Sequence, residues 1–228
     1  MIQGSVVNGT SFAAGAPVAP GSIISIFGSN LATSAVAAGS TPLPTVLFTT
    51  SVTINRFPIP LYYVSPTQIN AQVPFETPTG TATLAVTVAG ALSPAVTFPV
   101  AAAAPGIFLY GANRAVAQDP NGSINASHHP AKPGDVIVLY MTGQGTVSNP
   151  IPTGAPALAS PLSLALATTT ATIGGTNAEV LFSGLAPGFV GLLQVNIRIP
   201  NVAAGDQPLL VTIRGAAAKS ALITVASP

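Results

Sequence analysis

The sequence predicts an all-β chain made of two tandem sandwich domains. Short stretches rich in β-branched residues recur along the chain, among them residues 22–27, 83–88, 135–140 and 194–199. Several of these stretches alternate apolar and polar side chains, as half-buried strands do. The 23 prolines argue against long helices, because proline is costly inside a helix. The length of 228 residues suits two domains of ordinary size.

An internal repeat supports the two-domain prediction. Residues 68–74 (QINAQVP) return as residues 194–200 (QVNIRIP). The other pairs are residues 19–24 with 132–137, Ser65-Pro66 with Ala186-Pro187, and the pattern Gly80, Leu84, Val86 with Gly205, Leu209, Val211. Segments that match in the same order imply a duplicated fold. We therefore expect one domain over residues 1–104 and a second over residues 105–228, joined by a short linker that allows limited motion.

Three segments carry a family resemblance. Residues 20–31 (PGSIISIFGSNL) resemble the opening strand of IPT/TIG-type immunoglobulin-like domains. Together with residues 61–74 (LYYVSPTQINAQVP) and 184–196 (GLAPGFVGLLQVN), they resemble the Solibacter-type uncharacterised C-terminal domain family. The resemblance implies two immunoglobulin-like (IPT/TIG-like) β-sandwiches that form a C-terminal module of a secreted or surface bacterial protein. It implies no catalytic residues.

Composition excludes several classes of function. Charged residues make up 5% of the chain and the net charge is +1, whereas nucleic-acid binding requires clustered lysine and arginine. The absence of cysteine excludes disulfides, thiol catalysis and cysteine–zinc sites. No apolar run is long enough to predict a transmembrane helix. The residues after Met1 lack the pattern of a signal peptide, so we expect a mature form or an expressed domain.

Groups that could support catalysis are scarce. The acids are Glu76, Asp119, Asp135, Glu179 and Asp206, and the histidines are the adjacent His128 and His129. A glycosidase needs two carboxylates that face one cleft, and a serine nucleophile needs a base within hydrogen-bond reach. We expect the acids to serve turns instead, and we predict no enzymatic activity and no cofactor.

One loop has a weak likeness to a calcium site. Asp119, Asn121, Ser123 and Asn125 alternate like the first ligands of a calcium loop, but no acid closes the site at Pro130. We favour a hairpin turn at Asn121-Gly122. The two histidines could hold an adventitious zinc or copper ion, although a solvated loop is the favoured interpretation, and we predict no metal site.

Three aromatic residues form a possible contact surface. Tyr62 and Tyr63 are adjacent, so a regular strand would point one into the core and the other outward. Phe189 lies on an expected loop tip. Core or inter-domain packing is the favoured interpretation for these residues. The alternative is that the outward tyrosine and Phe189 pack on a partner or stack on a sugar ring.

A repeated pair of amides is the last candidate. Gln68 and Asn70 should share one face of a strand, as should Gln194 and Asn196. We expect these side chains to tie down neighbouring loop backbone, with ligand hydrogen bonding as the alternative.

These observations predict a non-catalytic extracellular or cell-surface module that acts in adhesion or assembly, with itself or another protein as partner. A filament or surface-layer subunit is one form of this function. The alternative is a carbohydrate-binding accessory domain of a secreted protein. The low charge leaves sheet edges unguarded, and residues 2–7 or 221–225 could extend a neighbour's sheet.

Overall fold

The described residues form four β-sheets, two in each half of the chain. The computed structural model describes residues 6–227, and its regular elements in that range are all strands. This confirms the all-β prediction. None of the residues described forms a helix of the length and apolarity needed to cross a membrane.

From Val6 onward, the first half contains eleven strands. They are β1 (Val6–Asn8), β2 (Ile23–Phe27), β3 (Val36–Ala37), β4 (Val46–Leu47), β5 (Thr50–Ile54), β6 (Phe57–Pro58), β7 (Leu61–Val64), β8 (Gln68–Gln72), β9 (Gly80–Val88), β10 (Ala91–Leu92) and β11 (Val96–Val100). One sheet has the order β1-β2-β8-β7-β3. The facing sheet has the order β10-β9-β5-β4, with β11 paired to β9 and β6 to β5.

The second half contains twelve strands in its described part, which ends at residue 227. They are β12 (Gly106–Ile107), β13 (Leu109–Tyr110), β14 (Arg114–Ala115), β15 (Ala117–Gln118), β16 (Val136–Thr142), β17 (Thr169–Ile173), β18 (Thr176–Ala178), β19 (Val180–Leu185), β20 (Leu193–Arg198), β21 (Gly205–Ile213), β22 (Ala216–Ala217) and β23 (Ala221–Val225). One sheet has the order β12-β16-β20-β19, with β15 paired to β16. The other has the order β13-β14-β23-β21-β17-β18, with β22 paired to β21.

The repeated sequence segments occupy equivalent strands in the same register. Ile24 of β2 lies opposite Ala71 of β8, and the matching residues Ile137 and Ile197 lie opposite each other on β16 and β20. In the facing sheets, β5 pairs with β9 as β17 pairs with β21. The same register in both halves is what a duplicated fold requires.

Each half encloses its own core. Most buried side chains between Val6 and Val100 form one cluster, and most of those between Ala103 and Val225 form another. Alternation explains the cores: on β20 the odd-numbered Leu193, Val195 and Ile197 are fully buried, whereas the intervening residues are half-buried. The division at residues 104 and 105 stays a prediction.

The final strand, β23, does not lie at a free edge of its sheet. β23 pairs with β21 on one side and makes a parallel bridge to β14 on the other. The backbone of residues 221–225 is therefore occupied within its own sheet, and the expectation that this segment extends a neighbour's sheet is wrong. In the other terminal segment, residues 2–5 lie outside the described residues, while Val6 and Val7 pair with β2.

Candidate functional site at the junction of the two halves

The two halves are joined by a long loop as well as by the linker. Residues 143–168 connect β16 to β17 and reach back to the first half. Gly154 of this loop donates its N–H to Gln72 Oε1 at 2.7 Å, and its carbonyl accepts the N–H of Leu43 at 2.8 Å. Gln72 is fully buried and its Nε2 donates to Gly21 O. Buried hydrogen bonds of this kind fix orientation, because an unpaired buried amide costs stability.

Thr142, at the end of β16, makes a second polar contact between the halves. Its hydroxyl accepts the N–H of Ile23 at 2.9 Å and donates to Gly191 O at 3.2 Å. Gly191 has a φ of +56°, and a Cβ there would come within 2.8 Å of Gly21 O. The backbones approach so closely at this point that only glycine fits.

Apolar packing adds to these contacts. The side chain of Phe75, in the first half, packs against a buried cluster from the second half. The members of that cluster are Val147, Ile151, Ala157 and Leu185. With the amide and hydroxyl contacts, this packing joins the two sandwiches. The limited motion expected from the short linker stays a prediction.

The predicted contact residues Tyr62 and Phe189 both lie near this junction. The Tyr62 hydroxyl donates a hydrogen bond to the carbonyl of Val190 at 2.5 Å, and burial raises the pKa of Tyr62 above its usual range. Phe189 precedes Val190 on the loop tip, and its side chain is 56% exposed. Tyr62 therefore makes an inter-domain contact, and Phe189 keeps a free aromatic face.

Tyr62 and Tyr63 do not divide between core and surface as expected. Both are half-buried and lie outside the buried core. A β-bulge between Leu61 and Tyr63 breaks the alternation, so that Leu61 and Val64 are the residues of β7 that enter the core. Tyr63 lies opposite Asn70, next to the predicted amide pair. A role for Tyr63 and Phe189 in ligand contact stays a prediction.

The repeated amide pairs share a strand face but do not hold loop backbone. Gln68 Nε2 donates to Asn70 Oδ1 at 2.8 Å, and Gln194 Nε2 donates to Asn196 Oδ1 at 2.9 Å. Each glutamine lies on the same strand face as the asparagine two residues along, so the two side chains of a pair hydrogen-bond to each other. The expectation of loop-tying amides is wrong for this reason.

The acids take structural roles at most positions. Glu179 pairs with Arg198, Asp206 pairs with Arg114, and Asp135 accepts the N–H of Lys132 in a turn. Glu76 accepts a hydrogen bond from the Thr153 hydroxyl, 2.8 Å away.

The loop that resembles a calcium site is a hairpin. Asp119 N–H donates to Ser123 O, and Gln118 bridges to Ile124. Asn125 Oδ1 accepts the backbone N–H of Thr224, and its Nδ2 donates to Asp119 Oδ1. Burial raises the pKa of Asp119, against the hydrogen bond from Asn125, which lowers it.

The two histidines lie beside this hairpin in a shallow depression of about 320 Å³ that Asp119, Lys132 and Asp135 also line. Within residues 6–227, no three histidine, aspartate or glutamate side chains are placed to hold a metal ion.

A surface of exposed leucines lies on the second half and was not predicted. Leu162, Leu164 and Leu166 alternate with the more buried Ser163 and Ala165. The Ser163 hydroxyl donates to Asn149 O, which holds the polar residue inward and turns the leucines out. Together with Leu181 of β19, these three residues form what we term the leucine surface, and their exposed fractions lie between 38% and 65%. The alternation was visible in the sequence, but it does not say which side faces solvent.

A groove beside the junction is the second site that sequence reasoning missed. It has a volume of about 670 Å³. Its apolar walls are Ile54, Phe57, Pro58, Pro60, Pro74 and Pro78, and its polar residues are Thr45, Asn55, Glu76, Thr77 and Thr153. Thr153 comes from the second half, so the groove is complete only when the two halves dock.

A family comparison matches the first sandwich. Residues 9–100 match the model of the IPT/TIG domain. The fold of the first half is thus an immunoglobulin-like one, as the segment at residues 20–31 indicated. The finer assignment to the Solibacter-type family stays a prediction. No curated protein matches the chain.

Solved structures of low similarity accompany this match. SGBP-B of the Bacteroides ovatus mixed-linkage glucan utilization locus, in complex with a mixed-linkage heptasaccharide, is 14% identical over 92% of this chain and 43% of that chain, with a TM-score of 0.36. Domains 5-6 of the S-layer protein SbsC are 14% identical over 93% of each chain, with a TM-score of 0.29. A gamma-CGTase from an alkalophilic Bacillus clarkii is 13% identical over 89% of this chain, with a TM-score of 0.30. The chain spans less than half of the first and third of these proteins.

Proposed function

We propose that the chain is a non-catalytic module of the cell surface or the extracellular space that acts in adhesion or assembly by packing against other copies of itself. The observation that carries this proposal is the leucine surface. Large apolar side chains in contiguous exposed patches mark interaction sites, whereas scattered ones need no explanation. Here the alternation is the inverse of the usual one, with leucine outside and serine or alanine inside.

Geometry supports one continuous contact. Leu164 and Leu181 line the same depression of about 330 Å³, because residue 164 bridges to Gly184 on β19. Residues 162 and 166 lie two positions to either side on the same extended segment. Complete burial of one leucine side chain is worth about 1.5–3 kcal/mol before association costs. Four of them could sustain a weak, concentration-dependent contact.

Charge supports a second copy as the partner. A net charge of +1 leaves little long-range repulsion between copies. In the described part of the chain, Glu179 and Arg198, which lie at the start of β19 and the end of β20, form an ion pair with each other. This pair therefore presents no net charge where β19 and β20 meet a second copy.

The experiment is light scattering after size exclusion over a wide range of protein concentration, with electron microscopy of the concentrated sample. The expected result is a mass that rises with concentration, with ordered assemblies if the contact does not close on itself. A strictly monomeric species at high concentration would contradict self-association.

Carbohydrate binding is a second candidate, favoured by one observation. Tyr63 lies opposite Asn70 on the neighbouring strand, and the Asn70 Oδ1 accepts hydrogen bonds from the Gln68 amide and the Ser25 hydroxyl. An aromatic ring beside a row of polar groups suits a sugar ring. Retention of the protein on insoluble polysaccharides, and its loss in Tyr63→Ala, would support this function. Equal retention of both proteins would count against it.

A further inference from the structure

The groove beside the junction has a composition found nowhere in the matching part of the second half. The β5–β6 hairpin turns through Asn55 and Arg56, which have φ of +51° and +73°, and places Phe57 opposite Ile54. In the second half the matching hairpin turns through Gly174 and Gly175 and places Thr176 opposite Ile173. Two positions after the repeated proline, Glu76 stands where the second half has Val202. The duplicated scaffold thus acquires an aromatic ring and a carboxylate at one groove.

Phe57 is held outward by the backbone rather than by packing. Its side chain is 70% exposed. Asn55 N–H donates to Thr83 O, and Asn55 Oδ1 accepts the N–H of Thr83, so the hairpin is pinned to β9. A large apolar ring on a fixed hairpin loses little conformational entropy when a ligand covers it.

Glu76 brings an uncompensated negative charge to the groove. The ion pairs found within residues 6–227 are Arg114–Asp206 and Arg198–Glu179, so Glu76 has none. The Thr153 hydroxyl donates to Oε2 and holds the carboxylate in place. Oε1 is left to accept a hydrogen bond from a ligand. Because aromatic and proline rings surround it, the complementary ligand is a cation on an apolar stem.

We propose that this groove is a binding site for an extended polypeptide segment that carries an arginine or lysine among prolines and aliphatic residues. Proline-rich segments dock in aromatic-lined grooves because their extended conformation is already formed. The volume of about 670 Å³ lies within the usual range of ligand-binding clefts. The basic side chain would lie along Phe57 and end at Glu76. This site is separate from the leucine surface and does not depend on self-association.

The test uses the full chain and a capped synthetic peptide, acetyl-Leu-Pro-Pro-Arg-Pro-Leu-amide. The same peptide with citrulline in place of arginine is the matched control, since it removes the charge and keeps the shape. Binding is followed by shifts of backbone amide signals in nuclear magnetic resonance spectra. We expect shifts at Ile54, Phe57, Thr77 and Thr153, and an affinity at least about tenfold weaker for the citrulline peptide.

Protein variants complete the test. Glu76→Gln keeps an acceptor for the Thr153 hydroxyl but removes the negative charge. Its affinity for the arginine peptide should fall to the affinity that the parent has for the citrulline peptide. Phe57→Ala removes a ring that lies on the surface, so we expect the fold to be preserved. The variant should no longer bind the arginine peptide. Glu179→Gln, at a paired acid outside the groove, should bind like the parent. Equal affinity for both peptides, shifts outside the groove, no shifts at millimolar peptide, or groove shifts with oligosaccharides alone would each overturn the proposal.

Discussion

The Tyr62 hydroxyl donates a hydrogen bond to the carbonyl of Val190, a residue 128 positions away in the chain. This bond joins a bulged strand of the first sandwich to a loop tip of the second. Tyr62→Phe removes the hydroxyl, keeps the ring and leaves a buried carbonyl unpaired. We expect a loss of about 1 kcal/mol in the free energy of unfolding by chemical denaturation. Tyr63→Phe is the control and should change it little, and equal effects of the two variants would contradict the assigned role of Tyr62.

Alkaline pH should lower the contribution of Tyr62 to the free energy of unfolding. Burial raises the pKa of Tyr62 above the usual value for tyrosine, near 10. The unfolded chain therefore releases this proton at a lower pH than the folded chain does. The stabilising contribution is complete below pH 10 and falls as the pH rises above that value. Denaturation series from pH 8 to 11 should show a steeper decline for the parent than for Tyr62→Phe, and parallel declines would be inconsistent with this origin.

Alanine substitutions at two glycines of one loop can distinguish the cost of backbone strain from the cost of a steric clash across the junction. Gly188 and Gly191 both have positive φ, but a Cβ at position 188 meets nothing within 4 Å, whereas at 191 it meets Gly21 O at 2.8 Å. Gly188→Ala should cost about 1 kcal/mol from the backbone alone. Gly191→Ala should lower the free energy of unfolding by more than Gly188→Ala does. It should also loosen the junction, which small-angle X-ray scattering would detect as a larger radius of gyration. Similar losses in both variants would argue against a tight junction at this point.

Removal of metal or of the histidines should have no effect. The oxygen of Asn125 is already bonded to Thr224, and the described residues place no three ligating side chains together. A calcium chelator, or replacement of both His128 and His129 by alanine, should leave the melting temperature and the oligomeric state unchanged. A drop of several degrees on chelation would reveal a bound ion, since a ligand stabilises the folded state to which it binds.

The sequence predicts the sheets far better than the surfaces. Ile24 and Ile137 were matched from the repeat, and their partners Ala71 and Ile197 lie in the same register because the side-chain period of strands is fixed. The bulge beside Tyr62 adds one residue to one strand, and the alternation of apolar and polar residues in the sequence does not show where such a residue is inserted.

Contacts distant in sequence account for the other differences. Gln72 was part of a repeated motif, but its partner Gly154 comes from a loop whose path the sequence does not state. The groove combines residues 54–60 and 74–78 with Thr153 in the same way. The direction of the leucines depends on the hydrogen bond between Ser163 and Asn149, again a contact made only in the folded chain.

The most direct test of self-association through the leucine surface is hydrogen–deuterium exchange measured at low and at high protein concentration. We expect amides of residues 162–166 and 180–182 to exchange more slowly as the concentration rises, and amides of the groove and the junction to exchange at an unchanged rate. The pair Leu164→Ser and Leu181→Ser should remove this protection, whereas Leu92→Ser, at a leucine that is 71% exposed on the first sandwich, should retain it. Exchange that is independent of concentration at residues 162–166, or protection confined to another surface, would contradict the proposal.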